Sequence, residues 1–372
     1  MSTLALVLLV HAIAIGLGIL VVLATLRSAI RVLVLPRNAN DPVARRWFLT
    51  TRKLFNLRTA KAQSYEERDE IMALYAPVSL LGLAGLWLVL VLVGYLAMYW
   101  GLGAPTLDAA FRVSGSSLFT LGFATVDDFL TTVLSFSEAA IGLGLVALLI
   151  GYLPAIYGAF SRREAAVTLL EVRAGSPPSA EEMILRYQRI HGLERLTDVW
   201  ATWETWFVDV EETHTSLAAL AFFRSPQGHR SWVTAAGAVL DAASLITSTL
   251  DVPRDPQREL CIRAGYLALQ YIASYFQVPF DPHPRPTDPI SVARSEYDDV
   301  CDRLAAAGVA LKEDRDDTWR QFAGWRVNYD VVLLALAALT MAPLAPWSSD
   351  RSLHISRRGK AAVSGQQQLA QK

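Results

Sequence analysis

Charge is missing from three long stretches of this chain: none falls between Thr3 and Leu26, between Val78 and Trp100, or between Ala139 and Phe160. Cysteine is scarce as well. Cys261 and Cys301 stand far apart with no ligand partners at metal spacing, which excludes a disulfide scaffold and points to a reducing setting for the soluble part. A net charge of -1 leaves no basic face for nucleic acid. Alternating strand patterns, internal repeats, a Walker loop and a dinucleotide fingerprint are all absent. No Ser-His-Asp or Cys-His constellation can be placed from spacing, so nothing marks the chain as an enzyme.

What is present is apolar and unevenly spread. The 372 residues are 53% hydrophobic, with the charges packed between and after the three bare stretches, as expected for membrane spans joined to a soluble part. The first stretch is long enough to cross a hydrocarbon core of about 30 Å, and it lacks the basic n-region of a cleaved signal peptide. The second ends on Tyr95, Tyr99 and Trp100, an interfacial aromatic belt. The third stops at Arg162 and Arg163. Between the first two lie Arg27, Arg31, Arg37, Arg45, Arg46, Arg52, Lys53, Arg58 and Lys61; between the second and third there is only Arg112. The positive-inside bias places the basic linker in the cytosol, the N-terminus and the 101–138 loop outside, and everything after Arg162 in the cytosol of a cell whose inner or plasma membrane holds the spans. A fourth apolar run, Val331 to Ala345, is short and broken by Pro343; it reads as a core helix of the soluble part or one lying against the membrane.

Within the outer loop, Thr106 is placed to cap a helix with Asp108 in its first turn, running to about Phe119 and too short to span. Gly115 and Ser114, Ser116 and Ser117 allow close packing in a membrane bundle. The strip Thr120-Leu121-Gly122-Phe123-Ala124 then returns as non-helical backbone. Irregular backbone at membrane depth is tolerated only where protein buries it or a water-filled path lines it. The order therefore predicts a re-entrant pore loop, its carbonyls replacing the water shell of a monovalent cation and Gly122 taking the backbone angles that turn them to one side.

This arrangement resembles the potassium-channel pore family: a spanning helix, a pore helix, a filter and a second spanning helix, here over Pro77 to about Arg163. The family filter reads Thr-Val-Gly-Tyr-Gly-Asp. Thr120, Gly122 and the aromatic Phe123 match it, Leu121 stands for valine, Ala124 for the second glycine and Thr125 for aspartate. A left-handed Ala124 costs roughly 1–2 kcal/mol. The resemblance implies K+ or another monovalent cation as permeant ion, no other cofactor, and four copies around one axis. Thr125, Asp127, Asp128 and Glu138 would sit at the pore mouth. Glu138, taken to open the last helix, has a second reading as a dipole-favoured cap. Gly142, Gly144, Gly151 and Pro154 are hinge candidates of a cavity-lining helix, or small residues that permit close packing.

From Gly175 onward the pattern is helical and soluble, with helices expected near 179–191, 195–223, 229–250, 256–277, 289–308 and 314–342. Trp200, Trp203 and Phe207, with Trp206 adjacent, form an aromatic face, read first as core or oligomer contact. Glu204, Glu211 and His214 share a helix face, and Glu211-x-x-His214 is the spacing of di-iron bundles, which need further ligands from neighbouring helices. Asp241 is a possible extra oxygen ligand, and Arg224 or Arg263 a partner if the cluster is a salt bridge instead.

The expected fold is thus an all-α membrane protein. It has an N-terminal transmembrane helix (1–35), a basic cytosolic linker (36–76), a pore module (77–163), a cytosolic helical domain that gates or assembles it (164–346) and a disordered tail (347–372). The expected function is a homotetrameric cation channel in a lipid membrane, with no nucleic-acid partner and a cytosolic ligand or partner the sequence does not name. Two other readings stay open: a non-conducting membrane-anchored interaction or sensor protein with a degenerate pore, and a membrane-bound metalloprotein using Glu204, Glu211 and His214.

Overall fold

A computed structural model describes residues 3–35, 41–351, 353–355 and 361–363. Arg37 in the linker and most of the tail beyond 351 lie outside these residues. The described chain is helical apart from a short antiparallel pairing of Leu353–Ile355 with Ala361–Val363. It divides into two compact units, residues 1–63 with 71–158 and residues 64–70 with 159–372.

The first unit is built from α1 (Thr3–Leu33), α2 (Pro42–Thr59), the end of α3 (Tyr65–Ala73), α4 (Tyr75–Gly101), α5 (Leu107–Leu118) and the start of α6 (Phe129–Ala174). Three helices are long and apolar enough to cross a membrane: α1, the α3–α4 stretch and α6. α1 lies directly on α4, because Gly18 and Gly94 leave room for backbone against backbone. Trp87 Nε1 donates to Ser28 Oγ at 3.0 Å, and Ser28 in turn donates to Asp41 Oδ2 at 2.6 Å. Asp41 also accepts from Ala44 N at 2.7 Å, so the same carboxylate caps α2, with Pro42 in the first turn.

The last spanning helix begins earlier than its charge-free stretch. Asp128 caps it, its Oδ2 accepting from Leu130 N at 3.0 Å and Thr131 N at 3.3 Å, so α6 starts at Phe129 and continues through Pro154 to Ala174.

The second unit holds the rest of α6 with α7 (Ala180–Arg189), α8 (Thr197–Ser216), α9 (Trp232–Thr249), α10 (Pro256–Tyr275), α11 (Arg294–Ala306), α12 (Arg315–Arg326) and α13 (Asp330–Thr340). Capping side chains set the starts: Ser179, Ser231, Asp255 before Pro256, and Asp314. The single helix expected over 314–342 is two, bent by 52°. Val332, Leu333, Leu334 and Leu336 of α13 are buried in the unit's core. α9 is the central helix, buried on nearly every side. The aromatic face of α8 is core as expected, with Trp203 and Trp206 rings 4.6 Å apart and Phe207 beside them.

Two boundaries differ from those expected. Residues 64–70, part of the expected linker, belong to this second unit: Tyr65 and Asp69 both bond Arg224, whose guanidinium also donates to Thr340 O (2.9 Å) and Met341 O (3.0 Å). The packed chain also runs past 346, since Trp347 and Ser348 are buried and the Trp347 carbonyl accepts from Arg326. Arg326 further binds Asp241 and Asp330, and Tyr329 donates to Asp241 at 2.8 Å. Burial works against its charge, but the Asp241 and Asp330 carboxylates prevail and hold the guanidinium protonated above its ordinary range.

Candidate functional site

The short helix α5 carries the strip that the sequence singles out. Thr106 caps it, its hydroxyl accepting from Ala109 N at 3.1 Å, and Asp108 in the first turn pairs with Arg112 at 2.9 Å. The helix stops because its last turn closes on itself: Thr120 N donates to Ser117 O at 3.0 Å and Leu121 N to Ser116 O at 2.8 Å. These two bonds make a Schellman cap, which requires a left-handed residue between them. That residue is Thr120, with φ 53°. A β-branched residue there is strained by roughly 1–2 kcal/mol.

Two residues later Gly122 is again left-handed, with φ 71°. Leu121 and Phe123 are not among the residues with positive φ. Extended backbone sends successive carbonyls to opposite sides, whereas residues alternating between the left- and right-handed helical regions turn the carbonyls to one side and the N–H groups to the other. The alternation ends at Ala124, which is not left-handed, so the strain anticipated for an alanine at that position does not arise. Ser116 ties the strip back to its helix, its Oγ accepting from Ala124 N at 3.1 Å.

Behind α5 runs a line of hydroxyls. Ser114 donates to Glu138 Oε1 at 2.5 Å, Ser117 and Ser135 share a hydrogen bond of 2.7 Å, and Tyr95 and Ser137 one of 2.9 Å. Gly142 lies under the Leu118 carbonyl, where any Cβ would collide with it. Small and hydroxylated residues thus clamp the short helix between α4 and α6. The serines were legible only as small; the bonding role of Ser114 and Ser117 depends on Glu138 and Ser135 in the next helix, a pairing that sequence spacing does not reveal.

The other expected site residues divide. Thr125, Asp127 and Asp128 are exposed near the strip, Asp128 serving as the α6 cap. Glu138 is not at a mouth: it is 0% exposed within the subunit, because α6 starts at Phe129 and carries it inward beneath α5. Gly142 is a packing position rather than a hinge, whereas Gly144 and Gly151 have open space around them and Pro154 sits inside an unbroken helix.

The metal reading of Glu204, Glu211 and His214 is not supported. Among the described residues no group of three or more His, Cys, Asp or Glu is placed to hold a metal ion. Glu204 accepts from Gln257 instead. His214 Nε2 faces Arg163 Nη1 at 3.2 Å, and burial, together with the Arg163 charge, pushes its pKa well below the ordinary imidazole value. It is a neutral acceptor. Arg163, fully buried, also donates to Leu220 O at 2.9 Å and Phe223 O at 2.7 Å and pairs with Glu164. Asp241 is engaged by Arg326 and so supplies no further metal ligand, and Arg224, the expected salt-bridge partner, pairs with Asp69 instead.

The strip presents its side chains outward: Leu121 is 62% and Phe123 65% exposed in the chain. Comparison with family models, with curated proteins and with solved structures finds no match.

Proposed function

We propose that this chain is one subunit of a homotetrameric monovalent-cation channel, in which residues 120–123 of four copies line one pathway. The observation that carries this reading is the alternation in the sign of φ along Thr120, Leu121, Gly122 and Phe123. A strip needs such alternation to turn its carbonyl oxygens to one side, where in this reading they replace the water around a dehydrated cation. Thr120 serves two ends at once, closing the α5 cap and starting the alternation. Its strain is tolerated because the Ser116 and Ser117 bonds on either side hold it in place.

One subunit cannot enclose a pathway, and the exposed Leu121 and Phe123 call for neighbouring copies. The end of the alternation at Ala124 favours a shortened filter with weaker discrimination between potassium and sodium. In this reading α1, α4 and α6 span the membrane, the basic linker and the second unit are cytosolic, and the second unit gates or assembles the pore. The test is ion flux from liposomes holding the purified protein. Potassium or rubidium flux should appear, and Gly122→Val should abolish it while leaving the protein folded, because a second β-branched residue at positive φ (71°) is strained and drives the strip out of that conformation.

A further inference from the structure

We propose that α2 lies in the plane of the bilayer surface and binds anionic phospholipid headgroups. The inference rests only on the reading that α1 and α4 sit in a membrane, and it holds whether or not the protein conducts.

α2 is the sole long helix between these two apolar helices, so it emerges where they meet the water. Its inner face is fixed to α4. Trp47 Nε1 donates to Ser79 O at 2.7 Å, Ser79 Oγ to Thr51 Oγ1 at 3.0 Å, and Tyr75 Oη to Phe48 O at 3.2 Å. Its outer face is not that of a helix meeting only water. Leu54 is 61% and Leu57 68% exposed. At 3.6 residues per turn, Val43, Leu54 and Leu57 fall within about 60° of one another. Arg45 and Arg52 fall on the opposite side, while Arg46 and Lys53 flank Leu57 and Arg58 flanks Leu54. A helix with an apolar stripe bordered and backed by bases rests at the headgroup boundary, apolar side inward and bases reaching to the headgroups.

Charge complementarity selects the partner. Residues 27–61 hold nine Lys and Arg against one acid, Asp41. That acid is buried and committed to Ser28 and to the α2 cap, so it offsets none of the outward charge. A surface of this sign beside an apolar stripe fits an anionic lipid leaflet.

The experiment places a spin label at Leu54→Cys or Leu57→Cys in the full chain, reconstituted in phosphatidylcholine bilayers with and without one third phosphatidylglycerol. Cys261 and Cys301 are buried, and the unsubstituted protein serves as the labelling control. Both labels should meet dissolved oxygen more readily than a water-soluble nickel chelate. In native mass spectra, retention of phosphatidylglycerol over phosphatidylcholine should fall roughly fivefold for each charge removed in Arg46→Gln and Lys53→Gln. Labels open to the nickel chelate would overturn the proposal, since α2 would face water. Labels shielded from both probes would overturn it in favour of a second copy or another part of the chain. Equal lipid retention by the charge variants would overturn the headgroup assignment. Failure of the protein to float with the vesicles would mark a failure of the membrane reading itself, whereas absence of ion flux has no bearing on this result.

Discussion

The two units differ most on the outside. In the first, serines, glycines and Glu138 share the interior with Leu83, Trp87, Val91 and Leu118, while leucines, valines and phenylalanines cover the outside: Leu8, Leu20 and Leu23 on α1, Phe136, Leu143 and Ile150 on α6. In the second, α9 is buried among tryptophans and leucines, and ion pairs such as Arg254–Glu259, Arg303–Glu181 and Arg320–Asp317 lie outside. A helix facing lipid gains nothing by burying leucine, so close packing and hydrogen bonds hold it to its neighbours. A helix facing water gains about 25 cal/mol for each Å² of apolar surface withdrawn. The two patterns are those expected of helices facing lipid and of helices facing water.

The comparison breaks most readily where the second unit buries Arg326 between two carboxylates. Arg326→Ala leaves Asp241 and Asp330 inside without their cation, a loss of roughly 3–5 kcal/mol. Denaturation of the purified protein should show the second unit unfolding first. A variant in which Arg326→Met is combined with neutral replacements of both aspartates should recover most of the stability, because no charge is then left unpaired.

A smaller effect separates packing from hinging on α6. Gly142→Ala drives a methyl group into the Leu118 carbonyl and should displace α5, lowering the melting temperature of the first unit and any flux together. Gly144→Ala meets nothing and should stabilise the helix by roughly 0.5–1 kcal/mol. If Gly144→Ala leaves stability intact but slows opening, the hinge lies there.

Ser114→Ala removes the hydrogen bond to a buried carboxylate and should cost about 1–3 kcal/mol, with no comparable cost for Ser→Ala at exposed positions of the second unit. Chemical denaturation in detergent measures it.

The smallest effect is a pH dependence of the second unit. Its imidazole at position 214 has a lower pKa folded than unfolded, so the unfolded chain takes up the additional proton as pH falls below the ordinary value near 6.5. Stability is therefore full above that value and declines below it, by at most about 1.4 kcal/mol per pH unit. Melting curves from pH 7.5 to pH 5 should show this decline, and His214→Gln should flatten it.

Much of this architecture was legible because composition reports the solvent directly. The bare stretches located α1, α4 and α6, and Thr106 with Asp108 located α5. The helices of the second unit fell where Ser179, Asp255 and Asp314 begin them. What stayed hidden depends on partners distant in sequence. Asp128 as the α6 cap moved Glu138 from an expected mouth to the rear of α5, and Arg163 took His214 from the expected metal cluster. Arg224 drew residues 64–70 into the second unit, and Arg326 drew Trp347 inward from the expected tail. Gly122 stood out as a position needing special backbone angles, but the left-handed Thr120 did not, because threonine carries no such signal.

The central claim is most directly tested by potassium and sodium flux from liposomes containing the wild-type chain and, in parallel, Gly122→Val. Flux of both ions in the wild type, with potassium moderately preferred, and none in the variant is the predicted result. Flux that survives unchanged in Gly122→Val, or none from a well-folded tetrameric wild type in any salt, would contradict it.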